Sequence, residues 1–227
     1  MRDSPSLVRL LQLSSPALPI GAYSYSQGLE WMVECGAVHD ATSLQEWIGD
    51  LLHNVMAHGE APVLWRLLAA AENGDAKGFA EWNAWFRASR EGAELRAETL
   101  QMGGSLVKLL ADLDVLDDFA RGQIEACAPV TLPAGFALAA RAWAIPSADA
   151  VTAYLYAWLE NQVLAALKAM AVGQVAGQKI LLSLGAAISA IADAARDLDD
   201  DDLSSFAPGL AIASARHETQ YSRLFRS

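Results

Sequence analysis

The chain has little of what metal centres and covalent catalysts are made from. Its 227 residues include only two cysteines, Cys35 and Cys127, with no C-x-x-C pair and no disulfide framework, a usage that fits a reducing compartment. Both read as small buried apolar residues. Histidine is equally sparse, at four. On an α-helix His53 and His58 stand about 140° apart and do not converge, and His39 falls in a loop. Hydrogen-bonded or solvated histidines are therefore expected, and no metal site. Signature motifs are missing too. There is no G-x-x-x-x-G-K-[ST], no G-x-S-x-G and no H-E-x-x-H, and the stretch from Gly103 to Lys108 has the wrong spacing for a phosphate loop.

Positive charge is also scarce. Lys plus Arg total 16 against 27 Asp plus Glu, a formal charge of −11. A nucleic-acid binder needs a basic face to displace counterions, and an anionic membrane surface needs the same, so neither is expected as a partner. Within the last helical pattern the charge-free run between Lys179 and Asp193 is 13 residues, too few to cross a bilayer. No basic segment followed by an apolar one marks a leader at the start, so a cytoplasmic location is expected. What the chain does have is apolar residues, 53% against 19% charged. A surplus of that kind implies apolar surface covered by another protein.

Alanine and leucine dominate and β-branched alternation is rare, which reads as helix almost throughout. The expected architecture is all-α: one helical bundle of about eight to ten helices over residues 1–205, then a separate partner-docking tail over 206–227. Helices are expected over 6–13, over 24–35 with Gly36 closing the turn, and from a Ser43–Glu46 capping box to about His58. Pro62 suits the first turn of the next, which Asn73-Gly74 ends. Asp75 caps a helix carrying Phe79, Trp82 and Phe86. A helix from about Gly92 to Leu113 is weakened at Gly103-Gly104, Pro129 and Pro133 bracket a loop, and Pro133 to Ala144 is helical. Over 148–170, Val151, Leu155, Trp158, Leu159, Ala166 and Met170 form one apolar arc. A final long helix runs from about Val175 to Arg196, before the acidic loop 197–202.

Three segments depart from generic helical core. Residues 15–31 pack prolines, glycines, hydroxyls and aromatics into a turn that opens a helix. Its plain reading is a rigid interhelix turn with Ser24 as cap. Lys168 lies roughly opposite the apolar arc, and Gln174 and Gln178, four apart, project together beyond the Gly173 break; the functional reading is a polar contact surface. The stretch 216–227 carries three arginines and one glutamate, interleaved with Tyr221, Leu224 and Phe225. Termini of this kind are commonly frayed, but arginine mixed with aromatics is also the composition of interface hot spots. Docking on a partner is therefore expected, with the end of the tail loosely ordered until it docks.

At these segments the chain closely resembles the UreF family of urease accessory proteins. LLQLSSPALPIGAYSYSQGLEW over 10–31 is similar to its N-terminal signature. Arg90 with Glu94-Leu95-Arg96 resembles its central element, Lys168 with Gly173, Gln174 and Gln178 a third, and AIASARHETQYSRLFRS over 211–227 its closing motif. One departure is Ala171-Val172, where many relatives carry a proline. The resemblance implies a non-enzymatic chaperone of urease maturation that bridges UreD (also called UreH) to the GTPase UreG, in a complex delivering nickel to apo-urease. It implies a homodimer, no catalytic residue, no metal site and no cofactor bound by the chain itself, nickel being handled by the complex. It further implies a UreD-facing set, Tyr221, Arg223, Leu224, Phe225 and Arg226. A set facing UreG or urease would comprise Tyr23, Ser24, Ser26, Glu30, Lys168, Gln174 and Gln178. The alternatives are a nickel-binding metallochaperone and an all-α enzyme using Lys168 or Glu30.

Overall fold

A computed structural model describes residues 4–227, and among these the regular structure is helical, with no strand. The all-α expectation holds. Helix α1 (Ser4–Leu13) leads into a proline-punctuated turn with a short 3-10 segment at Ala22–Ser24, and α2 (Leu29–Glu34) follows. Gln27 and Gly28 both carry positive φ, 53° and 77°. A Cβ on Gly28 would sit 2.9 Å from the Ala213 side chain, so the start of α2 presses directly on a helix from the far end of the chain.

The next stretch is one rod. Helix α3 (Ala41–Leu51) runs unbroken through a π-helical segment, Leu52–Glu60, into α4 (Ala61–Asn73). Its cap is Asp40, not Ser43: the Asp40 carboxylate accepts the Ser43 N–H at 2.8 Å and the Ser43 hydroxyl accepts the Asp40 N–H at 3.1 Å. Pro62 lies in the first turn of α4, as expected, and Gly74 ends that helix, although Pro62 continues the rod instead of opening a detached helix. It has no N–H to give, and the wider turns just before it carry the rod past the missing bond. Those turns also bring His58 back over His53, whose carbonyl faces His58 Nδ1 at 2.8 Å, while His53 Nδ1 faces the Gly49 carbonyl. The two histidines thus approach each other more closely than α-helical spacing implies, each tied to backbone.

Asp75 caps α5 (Ala76–Ser89) through the Gly78 N–H, as expected, and Phe79, Asn83 and Phe86 are buried. The amide of Asn83 binds the loop at 127–131 from both ends. Its Nδ2 donates to the carbonyls of Cys127 and Pro129, and its Oδ1 accepts from the N–H and hydroxyl of Thr131. Helix α6 (Ala93–Asp112) crosses this loop at Gly103, where a Cβ would collide with the Val130 carbonyl oxygen. Gly103 therefore serves close approach rather than weakening the helix. Of the two cysteines, Cys127 is buried and Cys35 is exposed, so only the first behaves as read.

Helices α7 (Asp118–Ala126) and α8 (Leu132–Ala142) complete one side, and every residue from Pro133 to Ala140 is buried. Helix α9 (Ser147–Ala169) is the axis of the molecule. It packs on α1, α2, α4 and α8, and on the two helices that follow it. Its buried surface is wider than one arc and takes in Tyr154, Gln162 and Val163 as well as Val151, Leu155, Leu159 and Ala166. The expected last long helix is two, α10 (Gln174–Gly185) and α11 (Ile188–Arg196), separated at Ala186-Ala187. Together they span 23 residues, within which an 18-residue stretch reaches a mean hydropathy of 1.6, a length and composition that meet the minimum for a membrane crossing. Each instead packs on α9, with α10 also against α3 and α11 against α4. Helix α12 (Pro208–His217) lies on α2 and α6.

Candidate functional site

The site grows from the turn that Gln27 and Gly28 make. With the backbone turned left-handed there, Ser26 and Glu30 face the far end of the chain. Glu30 is 7% exposed, and its carboxylate is fully engaged. Oε1 accepts the Leu224 N–H at 2.7 Å, and Oε2 accepts the Phe225 N–H at 3.0 Å and faces His217 Nε2 at 3.2 Å. The other ring nitrogen of His217, Nδ1, is 2.6 Å from Glu94 Oε2, and Glu94 Oε1 holds Arg223 at 2.8 Å. The imidazole is wholly buried between two carboxylates. A neutral ring can donate from only one nitrogen, so the arrangement is satisfied when both ring nitrogens carry protons or one carboxyl does.

At the last residues of the chain, the Ser26 N–H and hydroxyl donate to the Ser227 carbonyl at 2.8 and 2.6 Å, and the Arg226 N–H donates to the Ser24 carbonyl at 2.8 Å. These bonds correct the expectation of a loosely ordered end. Acceptors and donors some 200 residues away in sequence satisfy the backbone of 224–227, so its order does not rest on its own small apolar surface. Phe225, expected as an anchor for a partner, is 5% exposed and belongs to this chain's core. Tyr221 and Leu224 are fully and largely exposed, and Arg223 and Arg226 are at the surface.

Lys168 joins the same locus. Its ammonium lies 5.5 Å from the Tyr23 ring centre and 5.9 Å from that of Phe225. Asn161, one of its neighbours along α9, donates to the Tyr25 carbonyl at 3.1 Å. The structure therefore brings together Tyr23, Ser24, Ser26, Glu30, Lys168, Arg223, Phe225 and Arg226, which lie in two distant segments and one central helix. Gln174 and Gln178 are exposed on α10, the helix that packs on α9 beside Lys168.

Beneath the turn lies a second set of polar groups. Glu60, from the π-helical segment, accepts Arg90 Nη1 at 2.8 Å and the Tyr154 hydroxyl at 2.6 Å. Glu98 accepts Gln27 Nε2 at 2.8 Å and the Ser227 hydroxyl at 2.7 Å. Burial pushes the Glu98 carboxyl up to about 7; the bonds from Ser227 and Gln27 pull the other way, and the charge of Glu60 adds to the rise. Burial and the Glu60 carboxylate likewise hold the Tyr154 hydroxyl well above its ordinary range. Gln27 joins the layers: its Oε1 accepts the Trp158 indole N–H at 2.8 Å. Between Glu60, Glu98 and the 13–23 turn is a cavity of about 100 Å³. Among the described residues, no group of three or more His, Cys, Asp or Glu side chains is placed to hold a metal ion.

Sequence reasoning passed over His217, Gln27, Glu60, Glu98 and Tyr154. His217 and Gln27 sit inside the two end segments already singled out, and that was their one signal. Glu60 and Glu98 lie on helices whose apolar spacing marks nothing unusual.

Known proteins resemble this chain along nearly its whole length. The sequence profile of the family described as UreF matches residues 38–185. The chain is 56% identical over 223 residues to the urease accessory protein UreF of Azoarcus sp. (strain BH72), covering 97% of this chain and 95% of that one. It is 51% identical over 227 residues to the urease accessory protein UreF of Methylobacillus flagellatus, covering both in full. A third relative of the same description, from Janthinobacterium sp. (strain Marseille), is 50% identical over 225 residues, with 99% of this chain and 100% of that one covered.

Proposed function

Because the chain belongs to the UreF family of urease accessory proteins, we propose that it is a non-catalytic adaptor in urease maturation, joining UreD (UreH) to the GTPase UreG while nickel passes as cargo to apo-urease. The observation that carries this reading is the joining of the two end segments into one surface. The Glu30, His217 and Glu94 centre holds the backbone of 224–225 and the Arg223 side chain, with Tyr221, Leu224 and Arg226 exposed beside it. A fixed display of an aromatic, a leucine and two arginines lowers the ordering cost that a loose tail would meet on docking. UreD is the proposed partner of this edge. Tyr23, Lys168, Gln174 and Gln178 are the proposed contacts toward UreG or urease, with Ser24, Ser26 and Glu30 acting from behind as holders of the backbone. Exposed Val175 and Leu182 on α10 suit a second copy of the chain in a homodimer.

Two features weigh against an enzyme built on Lys168 or Glu30. Both Glu30 oxygens are engaged by the chain's own donors, and Lys168 stands over two aromatic rings rather than being enclosed. A cytoplasmic location follows from the same role. The test is co-elution: the full chain mixed with purified UreD and then UreG should move to one larger species on gel filtration. Leu224→Asp and Tyr221→Ala should weaken the UreD step without changing helical content. Elution of all three proteins separately, at concentrations where the chain is folded, would overturn the adaptor reading.

A further inference from the structure

The cavity beneath the N-terminal turn carries chemistry that the adaptor role does not use. Leu13, Leu18, Met102, Leu132 and Phe136 make its apolar wall, and Pro16 and Tyr23, both exposed, stand at its rim. Glu60, Glu98 and Tyr154 line the same space. At about 100 Å³ it has room for roughly three waters at their liquid volume, or an organic molecule of about five heavy atoms.

The buried charges do not balance. Glu60 has a cation of its own in Arg90, 2.8 Å away, and both are less than a tenth exposed. Glu98 has none: the donors it accepts from, Gln27 and Ser227, are neutral. Two carboxylates therefore share one guanidinium, and the open volume lies where a second positive charge would stand. A buried carboxylate without a counter-charge resists ionisation, and a cation brought alongside removes that penalty. The wall is apolar, so a bare inorganic ion would leave most of the space unfilled and dry surface uncovered.

We propose that this cavity binds a small organic monocation, a primary ammonium on a stem of about four carbons, with its head toward Glu98 and its stem along Leu13, Met102 and Phe136. The ammonium supplies three donors for carboxylate oxygens that still have free lone pairs. Binding displaces the Glu98 proton to solvent, which makes it pH-dependent. The charged and titratable groups facing Glu98 are Glu60 from the π-helical segment, Arg90 at the end of α5, Tyr154 on α9 and Tyr25 in the turn, with Arg226 beside Tyr25. The proposal is independent of UreD or UreG binding, so its failure leaves the adaptor reading untouched.

The test is isothermal titration of the full chain with n-butylammonium chloride at pH 6.0 and 8.5, in two buffers of different ionisation heat. One-to-one binding is expected, releasing about 0.9 proton at pH 6.0 and almost none at pH 8.5, as linkage to a group titrating near 7 requires. n-Butanol, the stem without the charge, and ammonium chloride, the charge without the stem, should each bind at least tenfold more weakly. Glu98→Gln, which keeps the size and one acceptor, should weaken n-butylammonium at least tenfold and leave n-butanol unchanged. Ala157→Phe, which fills the lined space while leaving both carboxylates in place, should abolish binding of either; circular dichroism checks that each variant is folded. Equal affinity for n-butanol and n-butylammonium would overturn the proposal, because the site would then be merely apolar. So would absence of binding, or one-for-one displacement of n-butylammonium by nickel chloride, which would make the site a metal site.

Discussion

Changing Glu98 to glutamine removes a carboxyl whose ionisation differs sharply between the folded and unfolded chain. In the unfolded chain it titrates at 4.5, and in the folded protein at about 7, chiefly because it is buried. Below pH 4.5 both states hold the proton and the native contacts contribute in full. Between 4.5 and 7 the folded state holds more proton than the unfolded one, so stability falls as pH rises. Above about 7 both states have lost it and the fall is complete. The gap corresponds to on the order of 3 kcal/mol. The partly buried Glu160, also raised, tilts the same way, so the comparison must be wild type against variant rather than one pH against another. Urea unfolding at half-unit steps from pH 5 to 8 reads the effect. Wild type should lose on the order of 3 kcal/mol more than Glu98→Gln across that range, and the variant should be the more stable at pH 8. The new amide can still accept from Gln27 and donate to the Ser227 hydroxyl, so the two proteins should be close at pH 5. Parallel profiles, within about 0.5 kcal/mol at every pH, would refute the reasoning.

Phe225→Ala should cost about 3–5 kcal/mol in urea unfolding, as emptying a buried aromatic site does, and deleting 221–227 should lower the melting temperature clearly; an unchanged melting temperature would show that these residues do not pack as described. His217→Ala strands two carboxylates that faced its ring and should cost about 3–5 kcal/mol. A double-mutant cycle with Glu30→Gln checks it, since additive losses would mean the pair is uncoupled. Lys168→Ala gives up contacts of about 0.5–1 kcal/mol with Tyr23 and Phe225, so folding should persist while urease activation in a reconstituted system changes; unaltered activation and nickel fidelity would remove Lys168 from the working surface. Light scattering should find a dimer alone or with UreD, and a monomer in both conditions would remove that proposal.

Local chemistry made much of the fold legible. Asp75 capped where an aspartate before a helix should, and Gly36 and Gly74 closed their helices with positive φ. The misreadings share a cause, which is that the deciding partner was remote or carried no residue signature. Ser43 and Asp40 are both good caps, and only backbone geometry assigns the role. The π-helical segment ends just before Pro62 and the break at Ala186-Ala187 follows Gly185, but a proline in a first turn and a glycine among alanines fit a plain helix start and an unbroken helix equally well. Gly103 looked like a weak point because its neighbour, the Val130 carbonyl, lies in another part of the chain. Within the site, the signature residues stood out by composition, but their acceptors did not. Nothing in the spacing of Glu30, Glu60 or Glu98 says that three carboxylates descend into the interior, and so the tail's order and the cavity were both invisible.

The bond from Ser26 to Ser227 has a consequence for how the protein is made. Ribosomes extend a chain at about 5–20 residues per second, so the N-terminal turn waits on the order of 10–40 s before its closing segment emerges. Over that interval Ser26 lacks the Ser227 carbonyl as an acceptor, Glu30 and Glu98 lack the tail's donors, and the early segments remain a provisional assembly. A transcript cut short or a ribosome that stalls late leaves Glu30 without the donors from Leu224, Phe225 and His217. Such a nascent product lacks these bonds, so a segment made late completes a site that everything synthesised before it leaves open.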